Sequence, residues 1–382
     1  MGFQFLYMKK KFCYIFCFVI ILVSCVTEQK SKERDQPNDT LQLLYSEGFQ
    51  IYSYPHYKEV IVKNPWQKGL VFARYYLVDD EEVVVPSDGE KVLIPIKNLA
   101  VTSATHFEFL SLLNELTKVQ GVCSPELIYN PFLREQFALG NITDLGDAFN
   151  INVEKTLKLN PDMLMMSGYK QNDPYAKRVI HAGIPVVYNN EWMENSLLAR
   201  AEWIKFVAAF VNKEQQADSI FNQVKDAYLH IKAQALSVEH KPKLMSGSNF
   251  RGTWYMPGGG SFMAQLFADA GGDYFYDNDT TKGSLPLTVE TVLMTFAETD
   301  VWLNCNFATF DELVQIDKKH ALFKPVSTKR VYNFNKSMLP SGANDFWESA
   351  VARPDLLLRD VISILHPDIL PEHQLIFAEQ LK

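Results

Sequence analysis

Basic residues are too few in this 382-residue chain to suggest contact with nucleic acid. Lysine and arginine total 37 against 45 aspartates and glutamates, which gives a formal charge of -8 at neutral pH. A protein that binds nucleic acid needs a basic face or stripe to neutralise phosphates. The sequence offers no such stripe, so this class of partner is excluded.

Signatures of the common enzyme classes are also missing. The chain has no Gly-x-Ser-x-Gly elbow, no His-Glu-x-x-His motif, no Gly-Lys-Ser phosphate loop and no dinucleotide glycine fingerprint. Asp277-Asn278-Asp279 resembles the start of a calcium loop, but it lacks the glycine and the terminal glutamate at the required spacing. We therefore expect a protein that is not an enzyme and has no intrinsic cofactor. An unrecognised hydrolase that uses scattered carboxylates is an alternative.

Cysteine is scarce, and three of the five cysteines lie in the first 25 residues. Three lysines at positions 9–11 precede an apolar run over 12–23, which ends in Leu-Val-Ser-Cys at Cys25. The run is shorter than the roughly twenty residues that span a bilayer, so it is typical of a cleaved export signal. We predict a lipoprotein signal over residues 1–25 with lipidation at Cys25. The protein is then exported and lipid-anchored to a membrane, facing the periplasm or the cell exterior.

The two remaining cysteines, Cys123 and Cys305, are too few for a disulfide framework. We expect two buried thiols, with a bridge between them as the alternative. Residues 26–40 are rich in Glu, Gln, Lys, Asp and Pro, a composition that cannot bury enough surface to fold, so we predict a flexible tether. Roughly 340 residues follow, more than one hydrophobic core comfortably supports, and two domains are expected.

Proline and glycine are both absent from one long internal stretch. No proline occurs over residues 186–241 and no glycine over 184–246. Apolar residues recur there at helical spacing, with a break near position 212. We predict helices over about 195–211 and 213–236. The second helix, about 36 Å long at 1.5 Å per residue, can reach from one domain to the next.

The segments on either side of these helices repeat one pattern. A strand-like run at 98–102 leads into an amphipathic helix, and a strand-like run at 243–246 leads through an aromatic loop into a helix over 261–270. Val153-Glu154 then begins a short helix before an apolar strand, and Val289-Glu290 does the same. Strands that alternate with helices imply a mainly parallel sheet, with ligands at the carboxyl ends of its strands.

These repeats predict an α/β fold of two lobes, each a mainly parallel sheet flanked by helices, joined by a long rigid helix. We assign residues 98–194 to the N-terminal lobe, 195–240 to the helical segment with the interlobe helix, and 241–382 to the C-terminal lobe. Residues 41–97 do not fit the lobe pattern. They offer short strands separated by polar turns, and we predict a small antiparallel β appendage on the first lobe. Its strands are predicted at 51–54, 59–62, 70–77 and 83–85.

The order of these features resembles the helical-backbone periplasmic binding proteins, which serve ABC importers for cobalamin, ferric siderophores and haem. The resemblance covers about residues 41–382 and includes the lipobox, the interlobe helix, the paired Val-Glu helices and the sequence FRGTWYMPGG at 250–259. The tail over 342–348 and 366–368 resembles the end of the second lobe in this family. The resemblance implies a non-catalytic lipoprotein that captures a metal chelate between its lobes and delivers it to an ABC permease and its ATPase. We expect a monomer.

The resemblance also implies how the permease is contacted. In that family each lobe displays one glutamate that docks on arginines of the permease, and Glu154 and Glu290 occupy the matching positions. Separated exposed charges steer encounter and fix orientation more than they add affinity. The second lobe departs from the family pattern, with two extra residues between Glu290 and Asp300 and no proline before this aspartate.

A large flat chelate needs broad and partly polar walls, which aromatic side chains provide at low entropic cost. The candidates from the second lobe follow strand-like runs and are Phe250, Arg251, Trp254, Tyr255, Asn306 and Phe307. Those from the first lobe are Thr102, Ser103, His106, Tyr169 and Trp192. We expect Arg251 to pair with carboxylates or phosphate on the chelate, or to stack on it. The metal of a chelate is already largely coordinated, so we expect no metal ligand from the protein. A lipoprotein that binds a glycan or a protein partner is an alternative, because aromatic loops suit sugars too.

Overall fold

The computed structural model describes residues 36–170 and 172–382. The predicted signal, the lipidation site Cys25 and residues 26–35 of the predicted tether therefore lie outside the described residues. Within the described ranges, no helix combines the length and the apolar composition that crossing a bilayer requires.

The first five strands form one sheet in sequential order, which we call the N-terminal sheet. They are β1 (Asp39–Thr40), β2 (Phe49–Ser53), β3 (Lys58–Lys63), β4 (Val71–Val78) and β5 (Glu90–Leu93). Strands β1 to β4 pair antiparallel, as predicted for the appendage, whereas β4 and β5 run parallel.

Two details of the predicted appendage are wrong. Residues 39–40, which we assigned to the tether, pair with Ser53 and Tyr52 of β2. Residues 83–85, predicted as a strand, lie in the loop before β5, where Val84 is 87% exposed. β-branched residues form a strand only where a neighbouring strand is available to pair, and this run pairs with none of the described strands.

The first lobe contains the predicted alternation of strands and helices over residues 99–188. Its elements are β6 (Leu99–Val101), α1 (Phe107–Leu112), β7 (Val119–Val122), α2 (Pro131–Ala138), β8 (Thr143–Asp144), β9 (Gly146–Asp147), β10 (Asn150–Ile151), α3 (Val153–Leu159), β11 (Met163–Met166), α4 (Pro174–His181) and β12 (Val186–Tyr188). Five strands form a parallel sheet in the order β12-β11-β6-β7-β8. Strands β9 and β10 form a separate hairpin.

Three helices follow the first lobe: α5 (Leu197–Ala201), α6 (Ile204–Val211) and α7 (Glu214–Leu236). The helix predicted over 195–211 is thus divided at Glu202, whose carboxylate accepts hydrogen bonds from the backbone N–H groups of residues 44–46. Helix α7 buries Phe221 in the core of the first lobe and Tyr228 in the core of the second. The predicted connection by one long helix is confirmed.

The second lobe comprises the elements from residue 243 onward. They are β13 (Lys243–Ser246), β14 (Asn249–Phe250), β15 (Thr253–Pro257), α8 (Phe262–Asp269), β16 (Asp273–Tyr274), β17 (Ser284–Leu287), α9 (Val289–Phe296), β18 (Val301–Leu303), α10 (Phe310–Ile316), α11 (Lys324–Ser327), β19 (Tyr332–Asn333), α12 (Ser349–Ala352), α13 (Pro354–Leu365) and β20 (Glu379–Gln380). A parallel sheet has the order β16-β13-β18, and an antiparallel sheet has the order β14-β15-β17.

One polar contact occurs in both lobes and supports the idea of a repeated architecture. Asp162 follows α3, and its carboxylate accepts hydrogen bonds from the backbone N–H groups of Lys97 and Asn98 at 2.7 and 3.0 Å. Asp300 follows α9, and its carboxylate accepts from Lys243 N at 2.9 Å. In each lobe the aspartate after the Val-Glu helix therefore fixes the start of a central strand.

The two cysteines of the described chain are free and buried in different lobes. Cys123 follows β7 in the first lobe, and Cys305 follows β18 in the second. Burial raises the pKa of each thiol to about 12. Both side chains are therefore protonated at neutral pH, and the expectation of two buried thiols is confirmed.

Candidate functional site

Two adjoining pockets open where parallel strands of the two lobes end. The interlobe pocket, about 470 Å³, is lined by Trp192 to Glu194 after β12, and by Tyr255, Phe262, Lys282 and Asn304 of the second lobe. The hairpin pocket, about 650 Å³, is lined by residues 247–251 after β13, and by Asn304, Asn306 and Phe307 after β18. Tyr255, Ser284 and Asn304 belong to both pockets. The carboxyl ends of parallel strands are where α/β folds usually bind ligands.

The aromatic run 249–257 is a hairpin rather than the predicted loop. Strand β14 ends at Phe250 and β15 begins at Thr253, and the two turn residues, Arg251 and Gly252, have φ of +53° and +90°. Positive φ at both central residues matches the twist of a two-residue hairpin. The side chain of Asn249 accepts a hydrogen bond from Gly252 N at 2.9 Å, which holds the turn.

This hairpin places Trp254 and Tyr255 on opposite faces, because successive side chains of a strand alternate. Trp254 is fully buried, its ring lies 5.1 Å from that of Trp302, and its indole N–H donates to Ser246 O at 2.9 Å. Tyr255 is 47% exposed and lines both pockets. The expectation that Trp254 forms a ligand-binding wall is therefore wrong, whereas Tyr255, which was also predicted, is exposed at the pockets.

The other predicted residues of the second lobe come together in the hairpin pocket. Phe250, Arg251, Asn306 and Phe307 all line it. The guanidinium of Arg251 lies 5.1 Å from the centre of the Phe250 ring, within the range of a cation–π contact. Both side chains are exposed, so neither is committed to the hydrophobic core.

The predicted residues of the first lobe are divided between the cleft and the interior. Trp192 lines the interlobe pocket. Tyr169 is half-exposed and lies 5.4 Å from the Trp192 ring and 4.8 Å from that of Phe149, which forms an aromatic row. Ser103 is half-buried, its hydroxyl 2.9 Å from that of Thr105, and it lines neither pocket.

Thr102 and His106 are buried and line neither pocket, which corrects their prediction as ligand-binding residues. The short helical turn after β6 points His106 inward, where its Nε2 lies 3.5 Å from the hydroxyl of Ser167. Burial lowers the pKa of His106 to about 4, although the nearby Glu191 carboxylate opposes this shift. The imidazole is therefore neutral at pH 7 and enclosed by protein.

Most residues that line the interlobe pocket were not predicted from the sequence, among them Trp66, Phe262 and Lys282. Trp66 lies in the loop between β3 and β4 of the N-terminal sheet, and Lys282 follows an acidic turn. Neither residue follows a strand of the repeated lobe pattern, which is where the sequence predicted ligand contacts. Phe262 opens α8, and the guanidinium of Arg200 lies 4.4 Å from the centre of its ring. Asn64 and Pro65 are typical of a loop, but a loop signal does not show which part of the protein the loop contacts.

The electrostatics of the cleft favour an anion. Lys282 lines the interlobe pocket and Arg251 the hairpin pocket, and both side chains are exposed. Glu194 is the one acidic residue among those that line the two pockets. Its carboxylate is buried and already accepts hydrogen bonds from Gly48 N and from the indole N–H of Trp203, both at 2.9 Å. The cations are therefore the charges left to meet a ligand.

The two predicted docking glutamates occupy equivalent positions on the surface. Glu154 lies in the first turn of α3 and Glu290 in the first turn of α9, and both are exposed. Glu290 forms an ion pair with Lys319 at 2.6 Å. Within residues 36–170 and 172–382, no group of three or more His, Cys, Asp or Glu side chains is arranged to hold a metal ion.

One family profile matches more than half of the chain. The sequence profile of the family described as periplasmic binding protein matches residues 99–337. Two relatives are uncharacterized lipoproteins of Methanocaldococcus jannaschii. One is 25% identical over 359 residues, covering 87% of this chain and 84% of the relative; the other is 23% identical, covering 92% and 93%.

Solved structures with the same fold are similar over most of the chain. The periplasmic heme binding protein HutB of Vibrio cholerae is 15% identical, with a TM-score of 0.57, and covers 71% of this chain and 100% of HutB. CeuE of Helicobacter pylori, solved as a complex with Ni and His, is 18% identical, with a TM-score of 0.56, and covers 75% of this chain and 89% of CeuE.

Proposed function

Because this chain belongs to the periplasmic binding protein family, we propose that it is the substrate-binding lipoprotein of an ABC importer. It captures a metal chelate, which is a ferric siderophore, cobalamin or haem, in the interlobe cleft and delivers it to the permease. Its family and structural neighbours are solute-binding proteins rather than enzymes, and two of its relatives are lipoproteins.

The observation that carries this proposal is the composition of the cleft. Trp192 of the first lobe and Tyr255 of the second line one pocket, together with Lys282. Aromatic side chains offer wide contact area with little rotamer entropy to lose, and a lysine offers a countercharge for carboxylates. A ligand with a broad face and negative groups suits these walls. The ligands named for two similar structures, heme for HutB and Ni with His for CeuE, are both metal complexes, which supports a metal chelate as the ligand.

The delivery step is assigned to the surface glutamates. We propose that Glu154 and Glu290 each contact a cationic residue of the permease, one from each lobe, so that the loaded protein is presented in one orientation. Both carboxylates are exposed in the first turns of equivalent helices. Lipidation at Cys25, also a proposal, would keep the protein near its permease and raise the local concentration for docking.

Binding assays on the full-length lipoprotein in detergent micelles test the function. Haemin, cyanocobalamin, a ferric hydroxamate and a ferric catecholate are titrated separately, with protein-free micelles as the blank, and binding is read from absorbance and tryptophan fluorescence. We expect one of these chelates to bind with a Kd in the micromolar range or below. If none of the four binds, the proposal is wrong.

A matched pair of variants then locates the site. Tyr255→Ala removes a half-exposed aromatic side chain from the cleft, and Phe275→Ala removes an exposed aromatic side chain of the same lobe that lines neither pocket. We expect the first change to weaken binding about tenfold, because truncated aromatic anchors are often the residues that dominate binding. The second change should leave Kd unaltered. Equal effects of the two variants would place the ligand elsewhere.

A further inference from the structure

Trp66 lines the interlobe pocket although it belongs to neither lobe. It lies in the loop of residues 64–70, which joins β3 to β4 in the N-terminal sheet. The family profile begins at residue 99, so this sheet lies outside the matched region. Trp66 remains 44% exposed at the pocket, which is unusual for a large aromatic side chain that could pack into a core.

Hydrogen bonds fix the backbone around Trp66. The side-chain oxygen of Asn64 accepts from Trp66 N and from Gln67 N, both at 3.0 Å. Asn64 N in turn donates to Leu70 O at 2.9 Å, which closes the loop. Asn64 is itself buried. A loop held in this way presents its indole with little entropy to lose on binding.

Ring contacts fix the side chain and connect it to the first lobe. The Trp66 ring lies 5.6 Å from that of Phe72, and Phe72 lies 4.9 Å from Tyr188 at the end of β12. Phe72 is packed so closely against Gly168 that a Cβ added there would approach its ring to 2.8 Å. The rings of Phe72 and Tyr188 therefore support the indole and keep it at the pocket.

We propose that Trp66 is a specificity-determining residue of the cleft, through which the N-terminal sheet selects anionic ligands with a broad, flat, conjugated face. This inference rests on the proposed function and narrows its ligand class. Trp66, Trp192 and Tyr255 come from three parts of the chain and line one pocket of about 470 Å³. Aromatic faces prefer offset stacking on other conjugated rings. Lys282 in the same pocket supplies the cation that such a ligand requires.

Two ferric probes of opposite character test the selection. Iron(III) deuteroporphyrin disulfonate is water-soluble, flat, conjugated and anionic, whereas ferrioxamine B is an aliphatic hydroxamate chelate without a conjugated face. The full-length lipoprotein, Trp66→Ala, Trp66→Phe and Leu70→Ala are each titrated with both probes. Leu70→Ala is the matched control, because Leu70 lies in the same loop, is 52% exposed and lines neither pocket. Its hydrogen bond to Asn64 uses the backbone and is retained.

We expect the parent protein to bind the porphyrin more tightly than ferrioxamine B. Trp66→Ala should weaken porphyrin binding about tenfold and change ferrioxamine B binding less than about twofold, because only the conjugated face stacks. Trp66→Phe should retain most of the porphyrin affinity, and Leu70→Ala all of it. The exposed position of Trp66 predicts an unchanged thermal unfolding midpoint for every variant, which circular dichroism checks.

Several outcomes would overturn the inference. Porphyrin binding by Trp66→Ala within twofold of the parent, or an equal loss for both probes, would remove the selective role of Trp66. A parent protein that prefers ferrioxamine B would do the same. In each of these cases the protein still binds a metal chelate, so the proposed function stands. A parent protein that binds neither these probes nor any of the four chelates above would contradict both proposals.

Discussion

The two lobes repeat one arrangement of strands and helices but complete their cores differently. The first lobe has five parallel strands, and its core also takes Trp203 and Phe206 from the segment that follows it. The second lobe has three parallel strands, and an antiparallel sheet beside them carries Trp254, which packs against Trp302. The two lobes therefore share an order of strands and helices but take the aromatic side chains of their cores from different elements. For this reason the role of an aromatic residue in one lobe does not predict the role of an aromatic residue in the other.

The same difference decides what each lobe brings to the cleft. The first lobe contributes Trp192, whose ring lies beside that of Tyr169, while the second lobe contributes the cations Arg251 and Lys282 with Tyr255. Both cations that line the two pockets therefore belong to the second lobe.

Trp254→Ala, in the core of the second lobe, is expected to have the largest effect on stability. Removing this buried indole leaves a cavity between Trp302 and Phe323 in the core of the second lobe. We expect the free energy of unfolding to fall by about 3–5 kcal/mol, as for other large-to-small core changes. Urea unfolding measures the loss. Tyr255→Ala, on the next residue, should lower stability by less than about 1 kcal/mol, and similar losses for both variants would contradict the assignment of Trp254 to the core.

A second large effect is expected where the linking helices meet both lobes. Arg200 on α5 donates to the fully buried Glu191 at 2.8 Å, and its guanidinium covers Phe262 of the second lobe. Arg200→Met leaves a buried carboxylate without its partner, which typically costs about 3–5 kcal/mol.

Two further variants test whether the unpaired Glu191 carboxylate causes the stability loss of Arg200→Met. Adding Glu191→Gln to Arg200→Met should restore much of the stability measured by urea unfolding, because the unpaired charge is then gone. Arg251→Met, which changes an exposed arginine, should have little effect. If the double variant is no more stable than Arg200→Met, the ion pair is not the source of the loss.

Transport assays should distinguish the two glutamates that are proposed to dock on the permease. Glu290 is paired with Lys319, whereas Glu154 forms no salt bridge within the described part of the chain. Glu154→Lys should therefore slow uptake of the chelate by cells several-fold, and Glu290→Lys should slow it less, while the Kd for the chelate stays unaltered. Glu239→Lys, at an exposed position on the linker after α7, is the control. Normal uptake by the Glu154→Lys/Glu290→Lys double variant would remove the docking assignment.

The smallest effect is expected from a carboxylate cluster where the lobes touch. Glu348 of the second lobe accepts hydrogen bonds from the backbone N–H groups of Tyr129 and Asn130 in the first lobe. Burial raises the pKa of Glu348 to about 7, and burial together with the Asp345 charge raises that of Glu108 to about 7, although Arg353 opposes the latter shift.

These raised pKa values make the folded protein retain protons that the unfolded chain releases. The stability that the two carboxyl groups contribute is therefore present below about pH 4.5 and is lost as the pH rises through about 7. Glu108→Gln cannot titrate, so its stability should depend less on pH between 5 and 8 than that of the parent, by on the order of 1 kcal/mol. Thermal unfolding at both pH values measures this difference. Glu154→Gln, at an exposed site, should show the same pH dependence of stability as the parent. If the stability of Glu108→Gln depends on pH as steeply as that of the parent, the pKa of Glu108 is not raised.

Much of the fold was predictable because its signals are local. The stretch without proline and glycine predicted α7, and the helical spacing of its apolar residues agrees with the face that buries Phe221 and Tyr228. The Val-Glu pairs predicted α3 and α9, which Asn152 and Thr288 cap. The site was predictable only in part. The two-residue turn at Arg251 and Gly252 has a weaker sequence signal than a helix, so residues 249–257 are predicted as a loop although they form a hairpin.

The sequence by itself determined the order of strands and helices, since hydrophobic spacing and helix caps act between residues close along the chain. Only the tertiary structure decided which aromatic side chains face the cleft. Alternation along β15 requires Trp254 and Tyr255 to point in opposite directions, but the packing of Trp302 and Phe323 decides which face is the interior. In the same way Trp66 reaches the cleft because the N-terminal sheet packs through Phe72 on Tyr188, a contact between residues more than one hundred positions apart.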